Sequence, residues 1–284
     1  MFDVQVLLDR VSFSPGVIDG KGGSNTKKAL AAFQASHDLP VTGQIDTVTW
    51  QNLTAAGGQQ TLAYYTITPE DLAGPFIPQI PEDMEAKAKL PSLAYTSPLE
   101  LFSEKFHATE LLLQKLNPGA PWNVPGQVVR VPNARQVVEA TGGAQQKFPD
   151  VRVLVSKKDW TLTVERGDDI LFFAPVTAGS EHDPLPIGEW KVNGVAHHPV
   201  FHYNPKLFWD AKPENEKATI PAGPNNPVGV VWIDLNKEHY GIHGTPEPDK
   251  IGKTASHGCV RLTNWDALTV ANLVKPGTPV IFHE

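Results

Sequence analysis

Cysteine is almost absent: the chain of 284 residues has one, Cys259, and only two methionines. A single thiol closes no internal disulfide, so no disulfide framework organises the fold. In an oxidising compartment such an unpaired thiol would be a candidate reactive residue. No stretch reaches the roughly 18 consecutive apolar residues that a membrane-spanning helix needs. Nor does a charged-then-apolar leader follow Met1, so the chain reads either as cytoplasmic or as an exported protein without its leader. A basic excess is missing too: 24 Lys and Arg face 31 Asp and Glu, for a net charge of −7. Divided at residues 57 and 146, the parts carry −1, −3 and −3. That balance argues against nucleic acid as a partner.

What the chain has instead is turn formers. Its 23 glycines and 26 prolines make up about 17 % of the residues, against roughly 12 % in an average protein. They fall between patterned segments, which favours short strands and ordered loops. The chemistry gathers in residues 239–262, HYGIHGTPEPDKIGKTASHGCVRL. Cys259 follows Ser256, His257 and Gly258, and His243 lies 16 positions upstream. A thiol attacks as thiolate, and an imidazole within hydrogen-bond reach is the usual means of making one. Gly244, Pro246, Pro248 and Gly252 make the intervening segment turn-rich, able to fold His243 back over the thiol.

The runs Ile242-His243-Gly244-Thr245, Ile251-Gly252-Lys253 and Ser256-His257-Gly258-Cys259-Val260-Arg261-Leu262 resemble the signature of the YkuD-type L,D-transpeptidases, cell-wall enzymes with a catalytic cysteine. Gly179 to Gly188 and Ile220 to Gly229 are similar to two further loops of that family. The resemblance implies Cys259 as nucleophile and His243 as base, with the Gly244 carbonyl as acceptor for the second imidazole nitrogen. It implies no metal and no cofactor. It also implies the substrate: a peptidoglycan stem tetrapeptide cut after its third residue, releasing D-alanine, with transfer to an amine to give a 3→3 cross-link. A carboxypeptidase using water, or an enzyme anchoring a protein lysine to peptidoglycan, are alternatives. A zinc peptidase built on His197, His198, His202, His243 and His257 is a poor rival, because no HExxH occurs and no acidic ligand is placed among them. A wall-binding protein with a relic catalytic domain is a poor rival too, since every motif position is present.

The residues around the thiol admit several roles. Backbone N–H groups of Gly258 and Cys259 are natural oxyanion donors, because glycine lets the chain approach a substrate closely. His257 shapes the pocket or donates to substrate, or else is a hydrogen-bonded structural histidine. Arg261, two positions on, shares the cysteine's face if the segment is a strand. It holds a substrate carboxylate or steadies the loop. Ser256 reads as a turn hydroxyl rather than a second nucleophile. In the aromatic run Phe201 to Trp209, Tyr203 and Trp209 are candidates for a substrate wall that excludes water, or core and lid packing.

Along the chain, three units are expected, in a multidomain α+β protein. Residues 1–57 read as a small helical bundle. Ser24 or Asn25 is placed to cap its second helix, Phe33 and Trp50 are expected in its core, and Gln34 is expected to be exposed for binding. Asp19-Gly20, Thr26, Phe33-Gln34, Leu39, Thr42-Gly43 and Thr49-Trp50 resemble a three-helix peptidoglycan-binding module. Residues 61–133 carry a strand at Leu62–Ile67, a helix opened by Ser97-Pro98, a second helix over Thr109–Leu116 and a strand at Gln127–Val131. With Leu116-Asn117 and Pro125-Gly126-Gln127, that order is similar to a LysM glycan-binding module with an insertion. Gly57 to Gln60 and residues 133–147 read as linkers. Residues 147–284 show repeated strand-like segments between Gly/Pro turns and one helix capped by Thr263 or Asn264. This predicts a mostly β catalytic domain, a curled sheet or sandwich with one helix. The implied location is the periplasm or cell envelope, and the implied partners are stem peptides and glycan.

Overall fold

The structure, a computed structural model, describes residues 1–138, 148 and 150–284; the second expected linker lies largely outside them. Three helices open the chain: α1 (Phe2–Arg10), α2 (Ser24–Ser36) and α3 (Thr47–Gly57). Their apolar faces meet around Leu7, Leu8, Leu30, Phe33 and Leu53, all at most 2 % exposed. Asp46 caps α3 by accepting from Thr49 N at 2.7 Å. Three expectations change here. Gly23, not Ser24 or Asn25, occupies the N-cap of α2, and the Asn25 amide instead donates to Ile251 O at 2.9 Å, far along the chain. Trp50 is half out of the core, at 38 % exposure. Gln34 is fully buried, since its Oε1 accepts from Thr42 N and Gly43 N while its Nε2 donates to Gln44 O. A side chain committed in this way serves the loop before α3 and is closed to a ligand.

In the middle segment, β1 (Leu62–Thr66) and β2 (Val128–Pro132) form an antiparallel pair, with Leu62 opposite Pro132 and Thr66 opposite Val128. Between them lie α4 (Met84–Lys87), α5 (Pro98–Lys105) and α6 (Glu110–Leu116). Ser97 caps α5 by accepting from Glu100 N, and Thr109 caps α6 by accepting from Leu112 N; proline at N1 of α5 forgoes an amide that the first turn leaves unpaired anyway. In the insertion ahead of α5, Asp71 still accepts from Tyr65 Oη at 2.6 Å and Leu72 packs on this unit's core, but the chain then runs out to pack Leu93 against Tyr203 and Ile220.

The remainder is one curled sheet wrapped on a helix. Its strands are β3 (Val151–Ser156), β4 (Thr161–Arg166), β5 (Asp169–Pro175), β6 (Thr177–Ala178), β7 (Gly188–His197), β10 (Val231–Leu235), β11 (Gly241–His243), β12 (Val260–Arg261) and β13 (Pro279–His283), in the spatial order 5-4-3-13-7-10-11-12-6. Among the described residues, the two intervening strands, β8 (Phe201–Tyr203) and β9 (Ala218–Ile220), pair only with each other, as a flap. Strand β7 makes the curl: its first residues pair with β13 and its later ones with β10. Helix α7 (Asn264–Leu273), capped by Thr263 accepting from Asp266 N at 3.2 Å, fills the concave side with Ala267, Val270 and Ala271. Among the described residues no helix is long and apolar enough to cross a membrane.

The three units share their cores. Ser12 to Ser14 run along β5, with Ser14 N donating to Phe173 O at 2.8 Å and Phe173 N to Ser12 O at 2.9 Å. The edge of the sheet is thereby covered, which removes an unpaired strand from solvent. Phe173 is itself enclosed in the helical bundle beside Phe13 and Phe33. Val6 and Ile18 are buried in the core of the middle segment. Where all three meet, Arg135 lies 3.1 Å from Asp266, with Asp9 3.1 Å from His107 and its Oδ2 accepting from Arg135 N at 2.8 Å.

Candidate active site

Strands β11 and β12 run parallel with Ile242 opposite Val260 and His243 opposite Arg261. Side chains alternate along a strand, so Cys259, just before β12, and Arg261 emerge on the same face as His243. All three line one cavity of about 1260 Å³. Behind His243, Trp232 of β10 is its cross-strand neighbour, stacked at 5.4 Å between ring centroids. The indole reaches that position across Gly241, where a Cβ would sit 2.5 Å from Trp232 Cζ2.

His243 is 4 % exposed, and its Nδ1 lies 2.7 Å from Gly244 O. A carbonyl only accepts, so this contact assigns the proton to Nδ1 and leaves the Nε2 lone pair free. Burial, and then the charge of Arg261, push the imidazole down to about 3 against a partial rise from the Gly244 contact. It is neutral at ordinary pH, with one nitrogen ready to take a proton. Burial also pushes the Cys259 thiol up, while a backbone hydrogen bond from Gly241 and the Arg261 charge pull it down. Sγ donates to His239 O at 3.6 Å, where His239 takes a left-handed backbone, φ 66°.

The rest of the motif holds the thiol's loop. Ser256 is buried, with its hydroxyl donating to Cys259 O at 2.7 Å and accepting from Gly179 N at 2.7 Å. Gly258 has φ 97°, and a Cβ there would stand 2.9 Å from Tyr240 Cε1. His257 Nε2 pairs with Asp210 Oδ1 at 2.8 Å, and its ring lies against Phe208 and Trp209. Tyr203 lines the cavity. Trp209 stacks outside it, on His182 at 4.5 Å and on His257 at 5.6 Å between centroids.

Several residues of this arrangement escape a reading of the sequence. Asp210, although it directly follows the aromatic run, is the flap's link to the thiol loop. Trp232 stands out only as the large residue of an alternating strand. Asn264, 1 % exposed, packs its Oδ1 so close to Gly229 and Gly244 that Cβ atoms there would stand 2.0 and 2.2 Å from it.

Comparison with known proteins settles the family. The L,D-transpeptidase catalytic domain of YkuD type matches residues 150–282, and a peptidoglycan binding domain matches residues 2–53. The protein named L,D-transpeptidase YkuD from Bacillus licheniformis is 31 % identical over 182 residues, 64 % of this chain and 91 % of that one. This chain belongs to the L,D-transpeptidase family. The protein named L,D-transpeptidase YbiS from Escherichia coli strain K12 is 28 % identical over 197 residues, 66 % of this chain and 60 % of its own length. Among solved structures, L,D-transpeptidase 3 from Mycobacterium tuberculosis covers 57 % of this chain and 75 % of its own at 20 % identity and a TM-score of 0.39, too slight a likeness to argue from. The L,D-transpeptidases are a cysteine transpeptidase family, and the peptidoglycan binding domain at the front of this member fits an enzyme acting on the cell wall.

Proposed function

We propose that this chain is a peptidoglycan L,D-transpeptidase that forms a Cys259 acyl-enzyme on a stem tetrapeptide. One observation carries the reading: Cys259, His243 and Arg261 share one face of two parallel strands in one cavity, and His243 Nδ1 is already committed to Gly244 O. The thiol proton leaves His239 O for His243 Nε2 as sulfur bonds to the carbonyl carbon of the third stem residue. Collapse of the tetrahedral adduct breaks the C–N bond to the terminal D-alanine, whose amine takes the proton back from His243. An acceptor amine, the side chain of a diamino acid on a neighbouring stem, then attacks the thioester. Its proton passes by way of His243 to the departing sulfur, leaving a 3→3 cross-link and a free thiol. Gly258 and Cys259 N–H face the developing oxyanion. Arg261 holds a substrate carboxylate, His257 shapes the pocket with Asp210, and Ser256 fixes the turn. Tyr203, with Trp209 behind His257, walls the substrate.

The unit boundaries follow: residues 1–57 as the peptidoglycan-binding-like module, 61–133 as a LysM-like module with an insertion, and 147–284 as the catalytic domain. The order β1, α5, α6, β2 with its strands paired antiparallel supports the LysM-like reading. The place of action is the periplasm or cell envelope, reached by export. Incubating wild type and Cys259→Ala with defined stem tetrapeptides, and identifying products by mass spectrometry, tests the mechanism. Wild type should release D-alanine and form cross-linked dimers, and the alanine variant neither. Release without dimers would instead mean that water or a protein lysine is the acceptor, and unchanged release by Cys259→Ala would remove the mechanism.

A further inference from the structure

Helix α5 of the middle segment reaches the catalytic domain through two carboxylates one turn apart. Glu100 Oε1 accepts from Asn225 Nδ2 at 2.7 Å. Glu104 Oε1 accepts from Asn264 Nδ2 at 2.7 Å. Glu100 also serves its own helix, since its Oε2 accepts from Thr96 N just ahead of the N-cap, whereas Glu104 Oε1 is directed at the catalytic domain. Burial pushes Glu104 up to about 8, which leaves a neutral acid at ordinary pH whose carbonyl oxygen is a good acceptor.

The second contact leads into the active site. Asn264 has a buried side-chain amide with both ends in use. Its Oδ1 accepts from Val230 N at 3.2 Å and packs on the Gly244 backbone. Its Nδ2 has two acceptors, Glu104 and, at a longer 3.2 Å, Pro224 O. The peptide against which Oδ1 packs is the one whose carbonyl holds His243 Nδ1 at 2.7 Å. Gly244 N in turn donates to Val231 O at 3.3 Å, next to the amide that Asn264 receives.

We infer that Glu104 is a positioning residue for the catalytic histidine, acting from the middle segment through Asn264 on the Gly244 peptide. The inference rests on the proposed roles of Cys259 and His243. Without the Glu104 acceptor, the Asn264 NH₂ keeps only its longer bond to Pro224 O in a buried site, a condition that costs free energy until the side chain shifts toward another acceptor. Turning the amide over gives no relief, since it would set NH₂ against Val230 N–H and Oδ1 against Pro224 O. A shift of Asn264 moves the Gly244 backbone it packs on, and with it the carbonyl that fixes the tautomer and aim of His243. The middle segment thereby completes the machinery of proton transfer in addition to any hold it has on the wall.

The test compares Glu104→Leu, which removes the acceptor, with Glu104→Gln, the isostere of the neutral acid, in the full chain. Ser103→Ala is the control, since that hydroxyl bonds within its own segment, to Ala108 O. D-Alanine release from a stem tetrapeptide gives kcat and KM, and thermal melting gives stability. Glu104→Leu should lower kcat by about tenfold or more with KM held within about twofold, because misplacing a catalytic group by a fraction of an ångström acts on the rate rather than on binding. Glu104→Gln should recover most of that rate, and Ser103→Ala should lose melting temperature without losing kcat. Should Glu104→Leu fail to fold, Glu104→Met, unbranched and of similar length, carries the same expectation. Wild-type kcat in the apolar variant, equal loss in the apolar and Gln variants, or a loss of kcat in Ser103→Ala that follows its melting temperature would each overturn the inference. Release of D-alanine by Cys259→Ala would instead bring down the reading beneath it.

Discussion

At Cys259 and His243, burial favours the neutral form of both proposed proton-transfer partners: the thiol is pushed up and the imidazole down to about 3. Both shifts disfavour a thiolate–imidazolium pair in the free enzyme, so the proposed mechanism has proton transfer accompany attack. The sign of a pH experiment follows. Below its pKa a thiol gains thiolate about tenfold per pH unit, so alkylation of Cys259 by iodoacetamide should climb steadily from pH 6 through pH 9. A flat, fast rate between pH 5 and 7 would reveal a preformed ion pair and defeat this account. The proposed nucleophile and base stand out in the sequence, since they lie 16 positions apart within one turn-rich motif. Glu104 does not. It meets Asn264 across 160 positions of chain, and nothing in its own helix marks a partner so remote.

Element by element, the long alternating strands and the helices with Ser or Thr caps can be read directly. The short ones cannot: β6, β8, β9, β11 and β12 have two or three residues each, too few for a period of two to emerge. Two of these position the proposed catalytic groups, and two form the flap. The flap's anchor comes from outside the catalytic domain. Leu93 of the inserted segment is fully buried against Tyr203 and Ile220, and its backbone N–H donates to Ala222 O at 2.9 Å while its carbonyl accepts from Asn225 N. Gly223 makes room: with φ 147°, a Cβ there would stand 2.2 Å from Leu93 O. Leu93→Ala should cost about 2–5 kcal/mol in urea unfolding, the range for a buried leucine that leaves a cavity. Because Tyr203 and Phe208 line the cavity from the flap, the same variant should raise KM for a stem peptide more than it lowers kcat. A change confined to stability, with KM unmoved, would mean that the flap holds its shape without the insertion.

For the molecule as a whole, the sequence suggests beads joined by linkers, whereas the structure places three units around shared cores and one buried charged cluster. Hydrogen bonds between distant segments leave no periodicity, so this part of the architecture was hidden in the sequence. The cluster is where the argument can be pressed. Asp9 and Asp266 are fully buried, and Arg135 is the cation that faces both, at 3.6 and 3.1 Å. Asp9 has His107 as a further partner at 3.1 Å, and Asp266 accepts from Ser14 Oγ at 2.8 Å. Removing one partner of a buried ionic network strands the others, at a cost of about 3–5 kcal/mol, whatever the net worth of the intact network. Arg135→Leu should therefore be strongly destabilised. Since Asp9 belongs to the helical bundle, Arg135 follows the middle segment and Asp266 lies on α7, the loss should reach every unit at once. Calorimetry of the wild type should show a single transition whose van't Hoff and calorimetric enthalpies agree, and Arg135→Leu should lower it or split it. Separate transitions in the wild type, or an arginine variant that melts as the wild type does, would return the protein to three independent beads.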